Sequence, residues 1–301
     1  MSKNQQKHKG WILGFFGLII LIAVAFIYHQ INPFLPITEF QKSVQIQLVD
    51  AYSNSVEPNN TLVNEDVVKS DIINAKDYEQ FWLWTPPKDD TKLSQAHTLY
   101  LLQGEISPNN VSYYRHDNST SANNNTVHTA LATLIPQGLG VRSLTDKKIW
   151  LVYRATSQEW SDEVMAQLIE RLEKWQRAGN QVMGIQIDYD APTYQLDKYA
   201  QLLKSIRKQL PAQYQLSVTG LLDWSNQVDD AQLSQLSDAV DELVIQTYQG
   251  TTTLSNYAHY LKKLEHLSFN FKVGIIEDGQ WQGAPFLEEN PHFKGYVVFL
   301  R

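Results

Sequence analysis

The stretch Met183-Gly-Ile-Gln-Ile-Asp-Tyr-Asp-Ala-Pro192 sets two carboxylates two residues apart in a period-two pattern. On an extended backbone Ile185, Ile187 and Tyr189 share one face, and Gln186, Asp188 and Asp190 share the other. Positions i and i+2 of a strand lie roughly 6.5–7 Å apart at the backbone, so their side chains can share a proton or a hydrogen bond. Like charges that close raise the proton affinity of one partner, and that makes a proton donor near neutral pH. Asp188 and Asp190 are therefore candidates for acid/base chemistry. The competing use of such a pair is to cap the following helix or to bind a cation.

Other short apolar runs also end in polar residues. Trp82 and Trp84 lie two apart and face the same way, as a pair that stacks on a sugar does, or as core aromatics do. A second run ends in Gln103-Gly104-Glu105 and a third in Tyr153-Arg154. An Arg opposite carboxylates holds them ionised and grips a substrate, or it closes a structural ion pair. Asp223 and Trp224 follow a fifth run. Gln246 and Tyr248 share one face of a sixth, where a Tyr hydroxyl can orient a substrate carbonyl or simply sit half-buried. Glu277-Asp278 closes a seventh and reads as a surface turn. Polar residues at six of eight such ends exceed what a purely structural sheet requires. The eight His residues form no HxH or HExxH pair, so no catalytic zinc is expected, although an oxygen-ligated Ca²⁺ or Mg²⁺ stays open. No GxSxG elbow or glycine-rich phosphate loop occurs, and no cofactor is expected.

The elements that must position these residues are legible as alternating textures. Strand-like runs cover Phe81–Trp84, Thr98–Glu105, Ile149–Arg154, Val182–Asp188, Gln215–Leu221, Glu242–Tyr248, Phe271–Ile276 and Gly295–Leu300. Helix-like segments cover Ser161–Ala178, Leu196–Leu210, Ala231–Val240 and Leu254–Leu267. The first is the clearest, with Val164, Leu168, Leu172 and Trp175 along one stripe and Gly179-Asn180 as a stop. Eight strands alternating with helices predict an α/β fold, a TIM-like (β/α)8 barrel over residues 78–301 that lacks its last helix. A doubly wound open sheet is the structural rival. In the barrel the apolar set of 185, 187 and 189 must face the helices, which puts Gln186, Asp188 and Asp190 inside or at the rim. The connection between the second and third strands is long and polar, and its tract Asp117–Asn125 reads as a loop.

The chain has 301 residues, 43% of them hydrophobic, and a formal net charge of −7. That length buries a sizeable core. The acidic balance argues against nucleic acid as a partner, because that binding needs clustered Lys and Arg. Zero cysteines exclude disulfides, thiolate metal sites, Cys nucleophiles and a Cys-linked lipid anchor. Residues 11–28 form an uncharged run preceded by Lys3, Lys7 and Lys9, and eighteen helical residues span about 27 Å. The expectation is a transmembrane signal anchor with residues 1–10 as a cytoplasmic tip, residues 29–77 as a stalk and lead-in, and the barrel periplasmic or extracellular. The alternative is a signal peptide cleaved at Ala23-Val24-Ala25, although Phe26-Ile27-Tyr28 continues the apolar run.

Gly184-Ile-Gln-Ile-Asp-Tyr-Asp-Ala-Pro192 resembles the fourth-strand motif of glycoside hydrolase family 18, the chitinase-like barrels. That resemblance implies that Asp188 orients an N-acetyl group of the substrate, that Asp190 stands where the family has its general acid Glu, and that Tyr248 contacts the same N-acetyl group. Gln186 replaces a further Asp of the motif, and Asp190 is one methylene shorter than Glu. Either departure fits a protein that binds without turnover. From about Tyr78 to Arg301 the chain more closely resembles the bacterial domain of unknown function family 3142, through FWLW, LLQGE, WLVYR, GIQIDYDAPT, LSVTGLLDW and QTYQG. Together these resemblances imply an exported glycoside hydrolase-like barrel with a polysaccharide or glycan ligand. Asp190, Asp188 and Tyr248 would be catalytic. Glu105, Arg154, Gln186, Gln246, Trp82, Trp84, Asp223 and Trp224 would bind. The alternative is a non-catalytic carbohydrate-binding or envelope-scaffolding protein.

Overall fold

The eight expected strands all form. In a computed structural model, which describes residues 71–86, 91–108, 131–222, 224 and 235–301, they are β1 Gln80–Leu83, β2 Thr98–Pro108, β3 Lys148–Ala155, β4 Gln181–Asp188, β5 Gln215–Leu221, β6 Glu242–Gln246, β7 Phe271–Ile276 and β8 Phe293–Phe299. Each pairs in parallel with its sequence neighbour, and β1 pairs with both β2 and β8. The sheet therefore closes on itself, and a barrel, not an open doubly wound sheet, is the architecture. The described residues all belong to one compact unit, Val67–Arg301. Residues 1–10, the span 11–28 and the stalk up to residue 70 lie outside the described residues. Among the described residues no helix is long and apolar enough to cross a membrane.

Among the described residues four helices are defined between the strands: α1 Thr91–Gln95, α2 Asp162–Arg177, α3 Leu196–Gln209 and α4 Tyr257–Leu261. The stripe that predicted α2 is the face it buries, with Val164, Leu168, Leu172 and Trp175 at 1% exposure or less. It ends where Gly179 takes φ 87°, a left-handed conformation that costs glycine nothing. Pro211 follows α3 and cannot continue it. The expected helix Leu254–Leu267 divides into α4 and a 3-10 turn, Lys262–His266. The expected helix Ala231–Val240 lies mostly outside the described residues, although Leu236, Ala239 and Val240 are buried.

Three short pairings among the described residues have no counterpart in the expected set. Ala132–Pro136 adds an antiparallel strand to the end of β2. Asp71–Ile72 pairs with Gln280–Trp281, and Tyr248–Gln249 pairs with Thr252–Thr253. Strands of two to five residues carry too little alternation to be read alone, and they exist because a partner edge is present.

The core has two layers. Outside the barrel, Ile149, Leu151, Ile185, Ile187, Leu216 and Val218 pack with the buried faces of α2 and α3. Burying each large apolar side chain contributes roughly 1.5–3 kcal/mol. Inside lie Trp82, Tyr100, Trp150, Val152, Val244 and Val297. The Tyr100 and Trp150 rings stack with centroids 5.9 Å apart. Gly274 makes room for Trp82, since a Cβ there would come within 2.6 Å of its ring.

Candidate functional site

The C-terminal edge of the barrel brings β2, β3 and β4 into register at three charged residues. Glu105 pairs with Arg154, and Arg154 pairs with Asp188, so an acid, a base and an acid stand side by side on adjacent strands. A β-bulge makes this row. β2 gains one residue between Leu102 and Gly104. That extra residue is Gln103, which turns to the helix side and accepts hydrogen bonds from Arg171 Nε and Trp175 Nε1, both at 2.8 Å. Beyond it the alternation is reset, with Ile106 in the outer core and Glu105 beside Arg154.

Asp188 is 8% exposed and accepts hydrogen bonds at Oδ1 from Thr219 Oγ1 at 2.8 Å and Gln246 Nε2 at 3.5 Å. Tyr248 lies near it. Burial pushes the Tyr248 hydroxyl well above the ordinary range, and the charges of Asp188 and Asp190 push it further. The same causes act on Tyr199 of α3, behind β4, where burial dominates and Asp188 leads the charge contributions. Among the described residues the Tyr199 hydroxyl has no hydrogen-bond partner. Asp190 sits past the end of β4 and is exposed.

An aromatic strip connects the charged row to Tyr248. The Arg154 guanidinium lies over the Trp84 ring, 5.4 Å from its centroid. Trp84 meets Phe299 edge to face at 5.3 Å, and Phe299 meets Tyr248 at 5.8 Å. Trp84, Phe299 and Tyr248 are each half-buried, so part of the strip is open. A half-buried Arg on the strand between two that carry carboxylates, flanked by partly open rings, offers donors, acceptors and an apolar stacking face to one ligand.

The other expected site residues lie elsewhere. Trp82 is 2% exposed, and its Nε1 donates to Gln186 Oε1 at 2.6 Å. Gln186 is fully buried and donates onward to Ser217 at 2.9 Å. Both therefore belong to the barrel interior, away from the rim. Trp224 is 1% exposed, donates to the Ala191 carbonyl and meets Tyr199 edge to face. It buttresses the loop after β4 from beneath. Asp223 lies outside the described residues. Glu277, expected at a surface turn, is 8% exposed, pairs with Lys92 and accepts the Arg301 N–H at 3.1 Å. The turn itself falls where expected, at Glu277-Asp278, with Asp278 at φ 62°. Among the described residues no three His, Asp or Glu side chains group as a metal site.

Thr219 and Phe299 were not singled out from sequence. Thr219 carried a signal, since Ser217 and Thr219 put two hydroxyls on one face of an otherwise apolar strand. Phe299 carried none, because a Phe near a strand end is ordinary core composition.

The interior holds a second polar system that sequence reasoning passed over. Glu242 and Lys272 form an ion pair at 2.8 Å with both side chains 10% exposed. Glu242 Oε1 also accepts from Tyr100 OH at 2.8 Å and Ser217 Oγ at 3.0 Å. Lys272 Nζ donates to Tyr100 OH at 2.8 Å. This system continues through Ser217 and Gln186 to Trp82.

A closed eight-stranded parallel barrel with charged and aromatic residues at its C-terminal edge places the protein among the (β/α)8 barrels. Residues 154–253 match the family described as domain of unknown function (DUF3142). The match runs from Arg154 through Asp188 and Asp190 to just past Tyr248. No curated protein matches the chain. Among solved structures it aligns with the spore cortex-lytic enzyme SleL of Bacillus cereus at 13% identity and a TM-score of 0.37, covering 66% of this chain and 52% of that one. The chain thus spans about half the length of that enzyme.

Proposed function

We propose that the C-terminal edge of the barrel binds and processes a glycan, as a glycoside hydrolase-like site for N-acetylated or other polysaccharide. The observation that carries this reading is the row Glu105, Arg154 and Asp188 beside the strip Trp84, Phe299 and Tyr248. Sugars offer hydroxyls to charged groups and C–H faces to rings, and this edge supplies both. Asp190 is the proton donor in this reading, because it is the exposed acid next to the row. Asp188, held by Thr219 and Gln246, orients the substrate together with Tyr248. Substrate-assisted hydrolysis, in which an N-acetyl group is the nucleophile, is a recognised alternative to two catalytic carboxylates. Residues 11–28 anchor the chain in an inner membrane with its N-terminus cytoplasmic, and the barrel works outside. Turnover of N-acetylated oligosaccharides by the full-length chain in detergent tests the reading. Wild-type cleavage that Asp190→Asn abolishes supports it, and cleavage unaffected by that change removes Asp190 from the chemistry.

A second reading has its own observation. Gln186, where the resembling motif has a carboxylate, is buried in the barrel interior, locked between Trp82 and Ser217. A site missing that member fits a carbohydrate-binding module without turnover. Glycan affinity lost in Trp84→Ala but kept in Asp190→Asn, with no cleavage in either, distinguishes it.

A further inference from the structure

The N-terminal end of the barrel, opposite the glycan edge, carries a pocket of about 270 Å³. Lys148, Lys272, Lys294 and His97 line it with one acid, Glu242, above a wall that includes Trp150. Three lysines against one glutamate leave this pocket a formal charge of +2 with His neutral. The glutamate's acceptor capacity is mostly taken up. Its two oxygens already take Tyr100, Ser217 and Lys272. Lys148 enters no ion pair among the described residues, and Lys294 donates only to the Pro291 carbonyl, at 2.7 Å. The Lys272 side chain is nine-tenths buried, and Tyr100 and Glu242 take two of its three N–H donors, leaving one for the pocket. Lys148 and Lys294 bring cations to the mouth, and Lys272 brings one to the floor.

From this arrangement we infer that the N-terminal mouth of the barrel is a binding site for a small oxyanion carrying at least two negative charges. Concave walls of low dielectric lined by one sign of charge focus the field and concentrate the opposite ion. The volume lies just under the about 300–1,000 Å³ of pockets that hold drug-sized ligands, so the occupant is small. A phosphate and a polycarboxylate share the required chemistry. The inference does not rest on the glycan reading, since the two sites lie at opposite ends of the strands and share no residue.

Calorimetric titration of the full-length chain in detergent with inorganic phosphate, with citrate and with chloride at matched ionic strength tests it. The expected result is saturable one-to-one binding of phosphate, citrate or both, with no binding of chloride, and whichever ion binds identifies the source. Lys148→Gln and Lys294→Gln should each weaken that binding about tenfold, the loss of one charge-assisted hydrogen bond. Both positions sit at strand starts away from the core, so circular dichroism should be unchanged. Failure of both polyanions to bind overturns the inference. So does a heat that chloride reproduces, or binding that survives the double substitution intact.

Discussion

The two ends of this barrel use charge in opposite ways. At the N-terminal end Lys272 and Glu242 are buried together, and the glutamate accepts from the lysine, Tyr100 and Ser217. At the C-terminal end Glu105 and Arg154 are half-buried, Asp190 is exposed, and Asp188 alone is sunk, held by Thr219 and Gln246. A buried pair costs several kcal/mol per ion to desolvate and returns that only when every partner is in place. The lower system therefore works as a unit whose removal in part is worse than removal in whole. The upper one keeps solvent access, so its charges remain available to a ligand. Polar residues inside a barrel are thus no sign of a site by themselves; a donor or acceptor left open marks one, as along the C-terminal row and at the third Lys272 N–H.

The sharpest way to break this contrast is Lys272→Met. It strands Glu242 in the interior and should cost about 3–5 kcal/mol in urea unfolding. Lys272→Met with Glu242→Gln should recover most of that loss, and a double variant as unstable as the single one would mean the pair is not a unit. Gly274→Ala pushes a methyl into the Trp82 ring between the two ends and should cost about 1–3 kcal/mol by overpacking. Thr219→Val removes a donor to Asp188 and should cost about 1–3 kcal/mol, less than the lower lysine, because Gln246 still reaches the carboxylate.

Alkaline pH probes both ends at once. Burial holds the Tyr100 and Tyr248 protons well above the ordinary tyrosine range, with Glu242 adding to the first and Asp188 and Asp190 to the second. The unfolded chain releases those protons near pH 10 while the folded chain keeps them. Stability is therefore intact below about pH 10 and falls as pH rises beyond it, by up to about 1.4 kcal/mol per pH unit for each such tyrosine. Tyr248→Phe should flatten the fall of the urea midpoint above pH 10, and an unchanged slope would mean that the Tyr248 hydroxyl is not held away from water. The smallest stability effect belongs to Asp190→Asn, expected within about 0.5 kcal/mol because the side chain is exposed. That variant then separates a change in glycan handling from a change in folding.

Much of the scaffold was readable because period-two and 3.6-residue patterns report burial directly. The alternation of residues 185–189 assigned Ile185 and Ile187 to the helix side and Gln186 to the interior, where they lie. The same alternation could not tell interior from rim. Trp82 and Trp84 share a strand face, yet one is sealed against Gln186 and the other lies under Arg154 at the open edge. Depth along a strand depends on where the neighbouring strands begin and end, and no local pattern carries that. The Lys272–Glu242 pair had a faint trace, a lysine within an otherwise apolar strand, but its partner lies 30 residues earlier and is found only when β6 and β7 pair.

By itself the sequence determined the eight barrel strands, the helices α2 and α3, the barrel class and the sidedness of β4, because these follow from which residues avoid water along a single element. Tertiary structure alone decided the charged row at the C-terminal edge and the basic pocket at the other. The row needs a one-residue bulge at Gln103 to turn Glu105 toward Arg154, and the pocket needs residues from separate strands at one level of the barrel. Register between strands sets both, and register is a property of the closed sheet, not of any strand within it.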